Sequence, residues 1–398
     1  MRTDIARRKF MGKAAALLGY AGLGSLQLSG QGRGRLSSVA AKGGPDPKKP
    51  EDYDKLIKLA NNENPYGPPE GVVKAMNDAW KYGNRYAAPD GGIIDAIAEH
   101  HHVKPENVLI GCGSSEILKI VDDAFLPDHK LVVGVEPTYE TVYRFATNSK
   151  AKAIAIPLTK TYDANIKEII RVTKLNARDV GVVYICNPNN PTGRIVPKDE
   201  IKLLLDSIPG DIPVFIDEAY HHFVDDPNYE PSVKYVIEGR KVIIARTFSK
   251  IAALAGMRLG YAVAPKEIID QLRSFVMAYN TNVIVKFGGV ASLKDTANEA
   301  RIKQLNKQIR DRVTNELKAM GYEVIPSQSN FFMVNVKKDV TAVAEEFLKK
   351  GLVVGRKFPP MTEWLRVSVG TDEEMKGFMK TFKEVFPAQP TAQTKAGN

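Results

Sequence analysis

Residues 246–261 read Arg246-Thr-Phe-Ser-Lys250-Ile-Ala-Ala-Leu-Ala-Gly-Met-Arg258-Leu-Gly-Tyr261. The apolar run Val242 to Ala245 leads into two hydroxyl residues and a lysine, and an arginine follows the lysine eight positions later. A lysine amine can form a Schiff base with an aldehyde, while hydroxyl and guanidinium groups can bind a phosphate. A surface lysine at the start of a helix would give the same Ser-Lys pair, so the rest of the chain must decide between these interpretations.

Three further segments follow predicted strands directly. They read Gly111-Cys-Gly-Ser-Ser-Glu116, Asn187-Pro-Asn-Asn-Pro-Thr-Gly193 and Asp217-Glu-Ala-Tyr220. Each alone fits turn chemistry, a helix cap or a weak phosphate signal. Because open α/β sheets bind ligands at the carboxyl ends of their strands, the three together with Lys250 indicate a site for pyridoxal phosphate.

With these motifs the chain resembles the fold-type I, class I/II aminotransferases that use pyridoxal phosphate, and it is most similar to the histidinol-phosphate aminotransferase group. The resemblance runs from about Leu59 to about Phe386. It also includes the segments Asn61–Gly67, Pro137–Tyr139, Ser329–Phe331 and Leu365–Thr371. It implies an α/β fold with a mostly parallel seven-stranded sheet covered by helices, plus a smaller C-terminal α/β domain.

The resemblance gives each motif residue a role toward the cofactor ring. Lys250 would carry the Schiff base and then move a proton between substrate and cofactor. Asp217 would keep the ring nitrogen protonated, so that the ring can accept electrons. Asn190 and Tyr220 would hydrogen-bond the ring hydroxyl oxygen, and Tyr139 would stack on the ring.

The cofactor phosphate would bind at a helix start, where the helix dipole favours an anion. The residues implied for this phosphate site are Gly113, Ser114, Thr247, Ser249 and Arg258. Tyr66 resembles the tyrosine that reaches the phosphate of the neighbouring subunit, which implies a homodimer.

Substrate recognition is expected to depend on Arg366, whose guanidinium fork matches a carboxylate, with Asn330 in support. In the histidinol-phosphate group an arginine near Arg356 helps to bind the substrate phosphate. In this chain Arg356 stands one position later than that arginine, and a shift of one residue turns a strand side chain to the other face of the sheet. We therefore expect an unphosphorylated amino acid substrate with an apolar or aromatic side chain that rests against Phe358 and Trp364.

The N-terminus gives a separate prediction. Arg7-Arg8-Lys9-Phe10-Met11-Gly12-Lys13 precedes a weakly apolar stretch, Ala14 to Leu28, and small residues at Ser38 to Ala41. This resembles a twin-arginine export signal and predicts a periplasmic or otherwise exported enzyme. The alternative is a cytoplasmic enzyme with a disordered basic arm. The apolar stretch is interrupted by glycines and is too short for a stable membrane span.

The net charge is +10, from 56 basic and 46 acidic residues. The predicted signal holds seven basic residues and one acidic residue, so the remainder carries about +4. Nucleic-acid binding is therefore not implied. No metal site is predicted at His100–His102, because adjacent helical residues point in different directions. Two cysteines give no reason to expect a disulfide framework.

Length favours two domains over one. The predicted divisions are a signal at 1–41, an arm with a first helix at 42–82, a large cofactor-binding domain at 83–288, a small domain at 289–386 and a loose tail at 387–398. Strands of the large domain are predicted at Val108–Ile110, Lys130–Val135, Ala151–Pro157, Gly181–Cys186, Pro213–Asp217, Lys241–Ala245 and Leu259–Ala264. Strands of the small domain are predicted at Tyr322–Ile325, Phe331–Val336, Leu352–Val354 and Leu365–Val369.

The sequence thus predicts an aminotransferase that moves an amino group from an amino acid to a 2-oxo acid. A decarboxylase or lyase of the same fold stays open, because the cofactor motifs do not choose which α-carbon bond is broken. A ligand-binding relative without turnover is the alternative from another class, although such regulators usually carry a DNA-binding domain, and the chain shows no pattern for one.

Overall fold

A computed structural model describes residues 46–127, 129–148 and 151–387. Twelve strands lie within these residues. They are β1 Ile57–Leu59, β2 Val108–Gly111, β3 Leu131–Glu136, β4 Lys152–Pro157, β5 Val180–Cys186, β6 Val214–Asp217, β7 Val242–Thr247, β8 Gly260–Val263, β9 Val324–Ile325, β10 Phe331–Asn335, β11 Leu352–Val354 and β12 Trp364–Ser368.

Thirteen α-helices lie within the same described ranges. They are α1 Pro50–Tyr53, α2 Glu70–Asp78, α3 Ile93–His101, α4 Ser114–Phe125, α5 Thr141–Asn148, α6 Ile166–Leu175, α7 Lys198–Ser207, α8 Val233–Ile237, α9 Lys266–Arg273, α10 Val283–Lys294, α11 Thr296–Ala319, α12 Val340–Lys349 and α13 Asp372–Val385.

Seven strands form the main sheet in the order β2-β8-β7-β6-β5-β3-β4. The pairs among β3 to β7 are parallel, whereas β8 is antiparallel to both β2 and β7. All seven strands predicted for the large domain are present in this sheet, which confirms the mostly parallel α/β fold. The observed strand ends lie within two residues of the predicted ones, and several coincide.

The two faces of this sheet are buried in separate apolar clusters. Tyr184 and Phe215 belong to one cluster, while Ile185 and Ile216, one residue further along each strand, belong to the other. Successive strand residues point to opposite faces, so a strand covered on both sides must be apolar throughout. This explains why β5, β6 and β7 are continuous apolar runs in the sequence.

The C-terminal part builds two small sheets around its own apolar cluster. β9, β10 and β12 form an antiparallel sheet in the order β12-β10-β9, and β1 pairs in parallel with β11. Phenylalanines 332, 347, 378 and 382 are fully buried in this cluster. The helix α13 begins with a capping box formed by Thr371 and Glu374.

Two structural features bear on the predicted organisation. The N-terminal arm contains a strand, β1, that the sequence analysis did not assign, and this strand completes a small sheet of the C-terminal part. The predicted boundary between residues 288 and 289 falls inside α10, so the chain has no break at that position. The predicted export signal at residues 1–41 lies outside the described residues, as does the predicted tail beyond Pro387. Among the described helices, none has the length and apolar character needed to span a membrane.

Candidate active site

The predicted cofactor residues meet at one edge of the main sheet. The parallel strands β5, β6 and β7 end side by side, so the loops that follow them converge. Asp217 is the last residue of β6, and the loops after β5 and β7 carry Asn190 and Lys250. The Nζ atom of Lys250 lies 5.5 Å from the ring centroid of Tyr220 and donates a hydrogen bond of 2.9 Å to the carbonyl oxygen of Asn61.

The environment of Lys250 makes its amine more easily deprotonated than usual. Burial lowers the pKa of Lys250 to about 8, with a further contribution from the nearby positive charge of Arg366. An amine must be unprotonated to attack an aldehyde or to accept a proton. At neutral pH a useful fraction of Lys250 is therefore in the reactive form.

Asp217 ends β6 and is almost fully buried, with 3% of its surface exposed. Its Oδ1 atom accepts a hydrogen bond of 3.1 Å from the backbone N–H of Ala219, while Oδ2 has only a long contact of 3.5 Å with the hydroxyl of Tyr184. Burial raises the pKa of Asp217 to about 6. One carboxylate oxygen is therefore left without a strong partner and is suited to bind a cationic N–H group.

A second group of residues converges at the start of α4. Gly113 precedes this helix with a φ of 75°, and a β-carbon at this position would clash with the guanidinium of Arg258. Arg258 also contacts the hydroxyl of Ser249 at 3.4 Å. Amide N–H groups at a helix start, a guanidinium and a hydroxyl are suited to bind a phosphate.

Thr247 supports Ser249 at this site. Its hydroxyl donates to the Ser249 hydroxyl at 2.9 Å and accepts from the Ser249 backbone N–H at 3.0 Å. Ser114 is the first residue of α4 beside Gly113. All five residues predicted for the phosphate site therefore lie in contact or in adjacent positions.

Arg366 lies on β12 and connects the C-terminal part to the ring site. Its Nη1 atom donates to Oδ1 of Asn190 at 2.6 Å, and the Nδ2 atom of Asn190 contacts the Tyr220 hydroxyl at 3.4 Å. Arg366 is 7% exposed, and its Nε atom has no hydrogen-bond partner among the described residues. Burial lowers the pKa of Arg366 to about 10, so it remains charged at neutral pH. A buried cation with an unused N–H group is suited to an anionic substrate group.

Asn330 has contacts that differ from the predicted carboxylate support. Its Nδ2 atom donates to the carbonyl oxygens of Asn62 at 3.0 Å and Glu63 at 3.4 Å. The amide N–H groups are thus used by the N-terminal arm. These contacts indicate that Asn330 holds the arm against the site.

Arg356 follows the end of β11 and lies on the surface. Its Nη2 atom is 2.9 Å from a carboxylate oxygen of Glu140, and its guanidinium lies 4.2 Å from the ring centroid of Phe358. The guanidinium of Arg366 lies 4.7 Å from the same ring. Phe358 and Trp364 are 4% and 7% exposed, respectively. The two apolar residues predicted to contact the substrate side chain are therefore largely buried, and Arg356 is paired with an acidic residue.

Tyr66 and Tyr139, the two remaining predicted residues, lie on separate segments of the chain. Tyr139 follows β3 and is half-buried against the apolar cluster that includes Tyr184. Tyr66 is 36% exposed on the arm, and the guanidinium of Arg301 lies 5.7 Å from its ring centroid.

Three polar residues next to the site were not predicted from the sequence. Asn62, in a segment cited only for its family resemblance, donates to the Tyr220 hydroxyl at 3.0 Å. Glu218 and Arg246 form a buried ion pair of 2.7 Å behind Asp217. The alternation of strand side chains at Asp217-Glu218 could have indicated that the two carboxylates point to opposite sides.

Of the run His100–His102 only His101 is buried, and a second histidine pair, His221 and His222, is half-buried. His101 shares a hydrogen bond of 2.9 Å with the Tyr261 hydroxyl, and the tilted rings of His221 and His222 are in contact with centroids 3.6 Å apart. Burial lowers the pKa of all three, so they are neutral at pH 7. Within the described ranges, no cluster of three His, Cys, Asp or Glu side chains has a metal-binding arrangement.

The chain is similar to known proteins over most of its length. The family model for aminotransferase class I and II matches residues 54–382. Over 340 residues the chain is 36% identical to the histidinol-phosphate aminotransferase of Caldicellulosiruptor saccharolyticus, which covers 83% of this chain and 92% of that protein. It is 35% identical over 337 residues to that of Moorella thermoacetica, covering 83% of this chain and 85% of the relative.

Solved structures show the same fold. An aminotransferase structure from Erwinia carotovora atroseptica SCRI1043 has a TM-score of 0.79 and 31% identity, covering 83% of this chain and 96% of that one. The histidinol-phosphate aminotransferase of Sinorhizobium meliloti, solved with pyridoxal-5'-phosphate, has a TM-score of 0.78 and 22% identity, covering 89% and 98%. The residues present fit that cofactor. Lys250 is suited to its aldehyde, the Asp217 oxygen without a strong partner to its ring nitrogen, and the group of residues at the start of α4 to its phosphate. The chain therefore belongs to the class I and II aminotransferases and is an aminotransferase that depends on pyridoxal phosphate.

Proposed function

We propose that this aminotransferase acts on an unphosphorylated amino acid with an apolar or aromatic side chain and passes the amino group to a 2-oxo acid. The observation that carries the proposal is the ion pair between Arg356 and Glu140. Arg356 is the cation nearest in sequence to the one that binds the substrate phosphate in the histidinol-phosphate group. Here a carboxylate already neutralises it, and that carboxylate would repel a phosphate.

The roles of the residues follow from their contacts. Bound pyridoxal phosphate supplies an electron-accepting ring beside the substrate α-carbon. Asp217 would bind the ring nitrogen through Oδ2, and Tyr220 would donate to the ring hydroxyl oxygen. Lys250, whose pKa is lowered to about 8, would take a proton from the α-carbon and return it. Arg366 would hold the substrate carboxylate and so fix which substrate bond faces Lys250.

The second candidate substrate is histidinol phosphate, because curated relatives that cover most of the chain carry that name. The two are separated by measuring kcat/KM of holoenzyme without residues 1–41 on histidinol phosphate and on aromatic, aliphatic and acidic amino acids. We expect a neutral amino acid to have the highest value. If histidinol phosphate is clearly best, the proposed substrate class is wrong.

A variant pair sharpens this test. Glu140→Gln removes the negative partner of Arg356, so we expect efficiency to rise with anionic substrates relative to neutral ones. The matched control is Asp339→Asn, which weakens the neighbouring exposed pair between Asp339 and Lys357 without touching Arg356. An unchanged preference in Glu140→Gln would count against a role of this ion pair in selectivity.

We also propose a homodimer, supported by large apolar side chains that are exposed on this chain. Trp80, Tyr86, Met277 and Tyr279 are between 66% and 83% exposed, and the rings of Tyr86 and Tyr279 are in contact. Such a patch on a soluble protein is typical of an interface. The double variant Tyr86→Glu, Met277→Glu should reduce the mass measured by light scattering to that of one chain. Leu175→Glu, at an equally exposed apolar position elsewhere, should not, and a dimer that survives the double variant would exclude this interface.

Tyr66 would act across that dimer on the partner's cofactor phosphate. Mixing inactive Lys250→Ala with weakened Tyr66→Ala should then produce hybrid dimers with one intact site, and activity should exceed that of either parent. If mixing restores nothing, Tyr66 acts within its own subunit or not at all.

The twin-arginine signal is the basis for proposing export. Arg7 and Arg8 are read by a receptor, so replacing both with lysine should keep the protein in the cytoplasm although the charge is unchanged. Fractionation that finds the double variant exported as before, or a mature protein that begins at Met1, would refute the proposal.

A further inference from the structure

Asn62 is bound on three sides in a way that fixes the orientation of its side-chain amide. Its backbone N–H donates to the Ser368 hydroxyl oxygen at 2.8 Å, and the same hydroxyl donates back to Oδ1 of Asn62 at 3.1 Å. Because Oδ1 is engaged by Ser368, the group that faces Tyr220 is Nδ2, at 3.0 Å from the phenol oxygen. Asn62 is 1% exposed, so water does not compete for these bonds.

This arrangement determines which hydrogen bonds the Tyr220 hydroxyl accepts and in which direction it can donate. Its oxygen accepts from Nδ2 of Asn62 and from Nδ2 of Asn190. Both neighbours are donors, so neither can accept the phenol proton. The proton is left to point away from them, and hydrogen bonds accepted by an oxygen make its own O–H a stronger donor. Burial also raises the pKa of Tyr220, so the proton stays on the phenol at physiological pH.

The backbone of Asn62 is held as firmly as its side chain. Its φ is 55°, in the left-handed region where asparagine is among the few residues commonly found. Its carbonyl oxygen accepts from Asn330 at 3.0 Å. The arm is therefore anchored to β12 and to the segment before β10 at the residue that contacts Tyr220.

We propose that Asn62 is a positioning residue that directs the Tyr220 proton toward the ring hydroxyl oxygen of the cofactor. A donor at that oxygen favours its ionised form, so Asn62 lowers the pH at which the bound cofactor loses its proton. The inference rests on the proposed placement of the cofactor against Tyr220.

The test is a pH titration of the visible absorbance of the holoenzyme, without substrate. Asn62→Gly removes the amide and retains a residue that tolerates positive φ, so the arm should keep its path. We expect the titration midpoint to rise by about half to one pH unit, the equivalent of one ordinary hydrogen bond. Ser368→Ala frees the Asn62 amide to turn and should raise the midpoint by less.

Two further variants make the outcome decisive. Tyr220→Phe should raise the midpoint, because the donor itself is gone. Asn64→Ala removes another buried arm amide, which donates to the Ile251 carbonyl oxygen at 2.9 Å, and should leave the midpoint unchanged.

If Tyr220→Phe shifts the midpoint but Asn62→Gly and Ser368→Ala do not, the role of Asn62 is overturned while the cofactor placement stands. If Tyr220→Phe has no effect, the placement itself fails. A shift in Asn64→Ala as large as that in Asn62→Gly would mean that loosening of the arm is the cause and would also overturn the inference.

Discussion

Replacing Arg366 with alanine should remove the anchor for the substrate carboxylate. Arg366 is 7% exposed and lies between Asn190 and the ring of Phe358, so the low energies of surface ion pairs do not apply. Removing one partner of a buried, hydrogen-bonded charge pair costs about 2–5 kcal/mol. At about 1.36 kcal/mol per factor of ten, kcat/KM should fall by roughly 30-fold to 5000-fold.

The assay compares an amino acid with the amine that has the same side chain but lacks the carboxylate. The parent enzyme should prefer the amino acid strongly, whereas Arg366→Ala should show little preference. Arg366→Lys should also be impaired, because an ammonium group cannot reproduce the two parallel hydrogen bonds of a guanidinium. Cofactor content and thermal midpoint are measured in parallel. A variant that loses the same factor with both substrates would show that Arg366 does not bind the carboxylate, and the argument from its free Nε atom would be refuted.

Three other predictions follow from buried charges. Borohydride should attach the cofactor irreversibly to Lys250, and label on another lysine would contradict this role. Asp217→Asn should keep cofactor binding but lose most turnover, and near-normal rates in this variant would contradict the role of Asp217. Burial raises the pKa of Asp122 to about 8, and neither of its carboxylate oxygens has a partner among the described residues. Because the folded-state pKa of this carboxyl group is raised, the folded protein is destabilised as pH rises from about 4 to about 8. Asp122→Asn should therefore reduce the fall in thermal midpoint between pH 5 and pH 8.5. An identical fall in both proteins would exclude this effect of Asp122. Arg246→Met should lower the free energy of unfolding by about 3–5 kcal/mol, because it leaves Glu218 buried without its cationic partner. Adding Glu218→Gln should recover part of this loss. If Arg246→Met alone stays within about 1 kcal/mol of the parent, the ion pair is not important for stability.

The main sheet was predictable from sequence because its signal is local. A strand buried on both faces must be apolar along its whole length, and the runs that become β5, β6 and β7 are bounded by turn residues. The short strand β1 gave no such signal. It has three residues, one of them Lys58, and its partner β11 lies near the other end of the chain. Only tertiary contacts could select that pairing.

In the candidate active site, too, local sequence motifs could be predicted whereas long-range contacts could not. The sequence named Lys250, Asp217 and Arg258, since each follows a strand in a motif whose residue types match one part of the cofactor. It did not give the partners of polar side chains on other segments. Asn330 was expected to support the substrate carboxylate, but its contacts are with the arm.

By itself, the sequence determined the fold class and the cofactor, because those depend on apolar runs and on residues that are close along the chain. The tertiary structure decided which long-range partner each polar group takes. Arg356 is paired with Glu140, Arg366 with Asn190, and Tyr220 with Asn62. Hydrogen bonds act over about 3 Å and depend on direction, so a pattern along one chain cannot specify them until the fold has brought the segments together.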